Sequence, residues 1–234
     1  MDLVFEIERA SLATWPASEV ERRDGWLLRH CERLPRRRSN SAVPLDPGAP
    51  IETAERFYAE RGAAPRIQVS PLERCGDLDA ALADRGYRID APVTCMRAER
   101  AALTDVEAPD FDVVVDDSPH PRWLAAVVAC GGKPEPALER MPLPVGFAVA
   151  ARGGNPVGVG MFAVSAGWCA VYGMRTSPDW RRRGVAAALI RAGARWAVDA
   201  QRIFLQVEDD NPVARSRYES LGFLPSHRYH YRIG

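Results

Sequence analysis

Three arginines run into a glycine at Arg181-Arg182-Arg183-Gly184, and the small residues Val185, Ala186 and Ala187 follow at once. A helix start presents about four unpaired backbone N–H groups and the positive end of the helix dipole. A glycine there removes the side chain where a ligand must approach the backbone, and alanines keep the next positions small. Such a turn suits a phosphate or pyrophosphate. The same arginines also read as a solvated charge run on a surface helix. Each charge–dipole contact is worth roughly 0.3–1 kcal/mol, so a binding turn needs several N–H groups acting together. No G-x-x-x-x-G-K-S/T and no G-x-G-x-x-G occurs, which excludes a Walker loop and the Rossmann dinucleotide fingerprint.

A second constellation lies downstream, in Asn211-Pro212-Val213-Ala214 through Tyr218 to Gly222-Phe223. Asn211, Ala214 and Tyr218 stand at i, i+3 and i+7 and therefore line one helix face. The hexamer Arg181–Ala186 reads R-x-x-G-x-A, and this resembles the acyl-CoA loop of the GNAT superfamily of N-acetyltransferases, Q/R-x-x-G-x-G/A. The downstream stretch is similar to the same superfamily's N-x-x-A-x-x-x-Y-x-x-x-G-F. The two motifs cover Val171–Phe223 and, with the hairpin before them, the whole second half.

The resemblance implies direct transfer of an acetyl group from acetyl-CoA to a primary amine. It assigns the backbone of Met174, Arg175 and Thr176 to pantetheine and Arg181, Arg182, Arg183, Gly184, Val185, Ala186 and Ala187 to the pyrophosphate. Asn211 then reaches the pantetheine arm, Ala214 leaves room for it, and Tyr218 protonates the leaving thiolate as general acid. No carboxylate stands on Val171–Arg175, so Glu208, ending the next strand, is the candidate base; a solvated strand end is its other reading. A non-catalytic acyl-CoA sensor or partner-binding module that kept the pocket is the alternative function. The acceptor is a small-molecule or protein amine. Its pocket is expected around Trp123–Leu143, which carries no motif that identifies it.

The elements that must position these residues follow from periodicity. Phe111–Asp117 reads as a strand and Pro119–Cys130 as a helix stopped by Gly131-Gly132. Val145–Ala151 and Pro156–Gly167 are β-rich runs joined by Arg-Gly-Gly-Asn-Pro, a hairpin. Trp168–Pro178 is the next strand. From Gly184 the period changes to that of a helix, with Val185, Leu189, Ala192 and Trp196 on one face. Arg202–Glu208 is a strand. Asn211 caps a helix with Pro212 at its first position and Gly222 at its end. His227–Ile233 is a final strand.

In the first half, Gly25–Arg33 and Arg37–Leu45 are strand candidates. Ile51–Gly62 is a helix, Pro65–Ser70 a strand, Asp77–Tyr87 a helix and Ala91–Glu99 a strand. Aligning Ala83–Tyr87 with Glu219–Phe223 lays strand on strand and helix on helix, as in an internal duplication. Opposite Tyr218 lies Leu82, opposite Asn211 lies Cys75, and opposite the loop lie Pro47 and Pro50, which cannot donate N–H groups. The expected architecture is an α/β, mixed-sheet protein: a degenerate GNAT-like domain over 1–103, a linker over 104–110 and a GNAT domain over 111–234.

The 234 residues, 47% hydrophobic and 26% charged, suit a soluble globular chain. A net charge of +0 argues against nucleic acid as a partner. No apolar run approaches the ~18 residues that span a bilayer. Cys31, Cys75, Cys95, Cys130 and Cys169 form no C-x-x-C pair and no metal shell with the histidines, so neither metal nor disulfide is expected. A cytoplasmic enzyme, as monomer or homodimer, fits these features.

Overall fold

A computed structural model describes residues 2–71, 75–105, 110–133, 138, 141, 142 and 144–234. Helix α1 (Leu3–Ala13) precedes β1 (Glu19–Arg23), β2 (Trp26–His30), β3 (Val43–Pro44), α2 (Ile51–Ala59), β4 (Arg66–Val69), α3 (Leu78–Asp84), β5 (Arg88–Glu99) and α4 (Arg100–Thr104). Then come β6 (Asp112–Asp116), α5 (Pro121–Ala129), β7 (Val145–Arg152), β8 (Asn155–Ser165), β9 (Trp168–Thr176), α6 (Val185–Trp196), β10 (Arg202–Glu208), α7 (Pro212–Ser220) and β11 (Leu224–Ile233). From β6 onward this is the order that the hydrophobic patterns predict.

The chain forms two compact units. The first takes Met1–Pro16, Met96–Leu205 and Ser216–Leu224; the second takes Ala17–Cys95, Gln206–Arg215 and Pro225–Gly234. A single cut at 104–110 therefore does not separate them. Thr104 ends α4, whose Arg100 donates from its backbone to Gln201 at 2.9 Å and from Nε to Ala200 at 2.8 Å. Residues 106–109 of the expected linker lie outside the described residues. The physical reason for the different division is that sheet edges and apolar helix faces choose their partners by fit, not by chain order. Thus α1, from the start of the chain, packs in the first unit, and β11, from its end, packs in the second.

In the first unit the strands lie in the order β10-β9-β8-β7-β6. β6 to β9 form an antiparallel meander, and β10 runs parallel to β9. Helix α6 packs closely on one face: a Cβ on Gly158 would stand 2.4 Å from Val185, and one on Gly193 would stand 2.2 Å from the Phe162 ring. Met161 and Tyr172 pair across β8 and β9. Helices α1 and α5 meet these strands too: Tyr172 bonds Thr14, and Trp123 Nε1 donates to Gly160 O at 3.3 Å. Helix α1 has an evident start, since Asp2 accepts from the Val4 N–H at 3.0 Å. Its Ile7 and Ala10 are fully buried.

In the second unit β1, β2 and β3 form an antiparallel set, and Ala42 makes a parallel bridge to Ile67. β4 pairs antiparallel with β11, from His230↔Val69 to Ile233↔Arg66, and β5 lies beside β11. Helices α2 and α3 close a core of Trp26, Leu28, Phe57, Tyr58, Ile67, Val69 and Leu82. The strand expected over Arg37–Leu45 shrinks to Val43–Pro44, because Arg37–Ser39 forms a 3-10 turn. Asn40 explains the departure: its side chain bonds Cys31 N, Leu34 O and Arg36 O, a local alternative to a strand ladder.

Candidate active site

Strand β9 is where the site begins. Its register to β8 passes from Met161↔Tyr172 to Val159↔Arg175, so β9 carries one extra residue. Gly173 sits at that bulge with φ +60°. The parallel ladder to β10 runs from Trp168↔Arg202 to Val171↔Leu205 and ends there. Tyr172–Thr176 thus continues as strand on the β8 side, beyond the last rung with β10. This is the segment whose backbone, at Met174, Arg175 and Thr176, is the candidate partner of pantetheine.

After β9 a 3-10 turn, Pro178–Trp180, leads to Arg181 in extended conformation. Arg182 and Gly184 follow with φ of +60° and +91°. Gly184 is the N-cap of α6 and has no side chain to cap it. The N–H groups of Val185, Ala186 and Ala187 therefore open α6 without a side-chain acceptor from the N-cap. The side chains of Val185 and Ala187 are buried, so these two residues offer backbone alone. Arg181, Arg182 and Arg183 are exposed, and the Arg183 guanidinium lies 5.2 Å from the Trp180 ring centre.

Helix α7 carries the second motif. Asn211 Oδ1 accepts from the Ala214 N–H at 3.1 Å, which is the expected N-cap. That oxygen is spent on the cap. The Tyr218 carbonyl accepts from the Phe223 N–H at 3.1 Å and so ends the helix, while its ring meets Phe223 edge-on at 6.0 Å. Burial pushes the Tyr218 hydroxyl above the ordinary tyrosine range. Met174, Arg175, Thr176, Arg181–Ala187 and Tyr218 belong to the first unit; Glu208, Asn211 and Ala214 belong to the second.

Glu208 is exposed, and its Oε1 accepts from Arg37 Nη1 at 3.2 Å. Arg37 also forks onto Asp90, at 2.8 and 3.1 Å. The sequence holds no local signal for this partner, 171 residues away. Nor did it single out Thr14, Trp15 and Tyr172, which meet beside the bulge of β9. Of the region expected to hold the acceptor, residues 134–137, 139, 140 and 143 lie outside the described ones. Among the described residues, no group of three or more His, Cys, Asp or Glu is placed to hold a metal, and no helix is long and apolar enough to cross a membrane.

The family model described as probable histone acetyltransferase Rv0428c C-terminal matches residues 4–232. The chain belongs to this family of GNAT N-acetyltransferases. A relative named uncharacterized N-acetyltransferase YobR, of Bacillus subtilis (strain 168), is 28% identical over 246 residues, covering 100% of this chain and 99% of the relative. A GCN5-related N-acetyltransferase from Kribbella flavida has the same fold, with a TM-score of 0.78 at 20% identity over 100% of this chain and 96% of that one. A tandem GNAT protein from the clavulanic acid biosynthesis pathway superposes with a TM-score of 0.61 at 15% identity, over 79% of this chain and 68% of that one. In this GNAT acetyltransferase, the bulged end of β9 and the uncapped start of α6 are the local features suited to a ligand with an amide arm and a pyrophosphate.

Proposed function

We propose that this GNAT enzyme transfers an acetyl group from acetyl-CoA to a primary amine, on a small molecule or a protein, by direct attack. The observation that carries the reading is the course of β9: it outruns its ladder to β10 at Val171 and leads to the left-handed Gly184 that opens α6. The strand edge offers N–H and C=O groups to the pantetheine amides. The α6 turn offers N–H groups and the helix dipole to the pyrophosphate. Arg181, Arg182 and Arg183 add charge around it. Asn211, through the amide nitrogen that its cap leaves over, and Ala214 serve the pantetheine arm.

In the reaction the neutral amine attacks the thioester carbonyl carbon. The C–N bond forms, the C–S bond breaks, and the thiolate takes the Tyr218 hydroxyl proton. The nitrogen's surplus proton goes to a base, for which Glu208 is the candidate. Burial suits Tyr218 to its part, since it keeps the phenol protonated at neutral pH. The first half reads as a degenerate GNAT-like half: β3, α2, β4, α3 and β5 follow the same order as β9, α6, β10, α7 and β11, with prolines where the loop should donate.

The test is CoA release, followed by thiol titration, over a panel of primary amines. Tyr218→Phe is expected to lower kcat by roughly 10²–10⁴-fold, the range of a lost general acid. An unchanged rate with every accepted amine would remove Tyr218 from the chemistry. Tight acetyl-CoA binding with no turnover on any amine would favour a sensor instead.

A further inference from the structure

The end of α1 meets the bulge of β9, and this contact bears on which acyl donor the enzyme accepts. The inference rests on the placement of pantetheine along Met174–Thr176 proposed above. With the pyrophosphate at Gly184, beyond the C-terminal end of β9, the arm runs back along the strand. Its acyl end then arrives at Gly173 and next at Tyr172. There the ladder closes, at Val171↔Leu205.

Three side chains converge on that point. Met161 Cε would stand 3.2 Å from a Cβ on Gly173. Tyr172, paired with Met161 across the strands, is nearly buried. The Trp15 ring meets Tyr172 edge-on, with centres 4.8 Å apart and planes 68° apart. None of these is loosely held. The Thr14 hydroxyl donates to Ala10 O at 2.6 Å and so accepts from the Tyr172 hydroxyl, 2.8 Å away. The start of α1 is fixed as well, since Glu6 Oε2 accepts from Trp168 Nε1 at 3.3 Å and from Arg202 Nη1 at 3.2 Å. Helix α1 is thereby pinned near both ends of the ladder, and Trp15 has a rigid seat.

We propose that Trp15 is a specificity-determining residue: with Tyr172 and Met161 it walls the acyl end of the pantetheine path and restricts the donor to short acyl groups. Packing against stiff aromatic rings makes the wall costly to displace. An added methylene at such a wall typically changes binding by roughly 10-fold or more.

The experiment is calorimetric titration of the full chain with acetyl-CoA and butyryl-CoA, reading the ratio of the two Kd values. Wild type should favour acetyl-CoA. Trp15→Ala should shrink that ratio by about tenfold, and Trp15→Phe, which keeps a ring, should retain it. Trp15→Leu repeats the test with a smaller cavity if the alanine variant does not fold. A ratio unchanged in the Ala or Leu variant overturns the wall and leaves the pantetheine path standing, as does a wild type that binds both donors equally. A wild type that binds neither overturns the path and the wall together.

Discussion

At the scale of single residues, two side chains carry charge or protons in ways that titration can read. As the proposed general acid Tyr218 would act in its protonated form, and burial raises its value above the ordinary ~10 of tyrosine. Its loss of activity therefore belongs above that pH. The pH–rate profile is expected to show no alkaline limb from Tyr218 below about pH 10; a limb at lower pH that Tyr218→Phe abolishes would contradict the assignment. Asp79 is the structural counterpart. The fork of Arg232, at 2.7 and 2.9 Å, holds its carboxyl below the ordinary range against the cost of partial burial, and His230 Nε2 at 2.7 Å adds to it. A depressed carboxyl contributes stability that is present above its unfolded value of about 3.9 and lost as pH falls through the folded one. Asp79→Asn should lower the melting temperature at pH 7, with the difference shrinking below about pH 3.9. An equal difference at every pH would show that the ionised carboxylate is not what matters.

At the scale of elements, the close seat of α6 on β8 decides a competition that helix propensity alone would settle the other way. Alanine is favoured over glycine in a helix by about 1 kcal/mol. At Gly193, however, a Cβ would lie 2.2 Å from the Phe162 ring, and overpacking costs about 1–3 kcal/mol. Gly193→Ala is therefore expected to lower the melting temperature; a rise would mean that Phe162 yields without cost. The same elements show what a sequence makes legible. β7, β8, α6, β10 and α7 carry their period, turn and cap signals within themselves, and the Asn211 cap is found where the motif predicts it. Helix α1 also had its signals, Asp2 as cap and Leu3, Ile7 and Ala10 on one face, but no motif drew attention to them. β1 had none: Glu19-Val-Glu-Arg-Arg is a strand because β2 pairs with it, not because its own pattern is apolar. The Thr14–Tyr172 bond joins residues 158 apart, a separation at which local patterns carry no information.

At the scale of the whole molecule, chain order and compact units disagree. β5, β10 and α7 each begin in one unit and end in the other, and β11 completes the sheet edge of β4 in the unit that holds Ala17–Cys95. Expressed alone, residues 111–234 would lack α1 against β9 and would leave β11 without β4. We expect this fragment to lack a cooperative melting transition; a cooperative one near that of the full chain would restore the cut at 104–110. What the full chain must do as an acetyltransferase begins with holding its donor, and the proposed function rests that task on the turn at Gly184. The decisive measurement is acetyl-CoA affinity, by calorimetry, in wild type, Arg182→Ala and Gly184→Val. If the backbone turn makes the site, Arg182→Ala weakens binding by a few-fold, in line with a charge contact of roughly 0.3–1 kcal/mol, and Gly184→Val abolishes it in a chain that still melts cooperatively. The reverse order, with Gly184→Val binding well and Arg182→Ala not at all, would contradict that reading and place the site in the charge run.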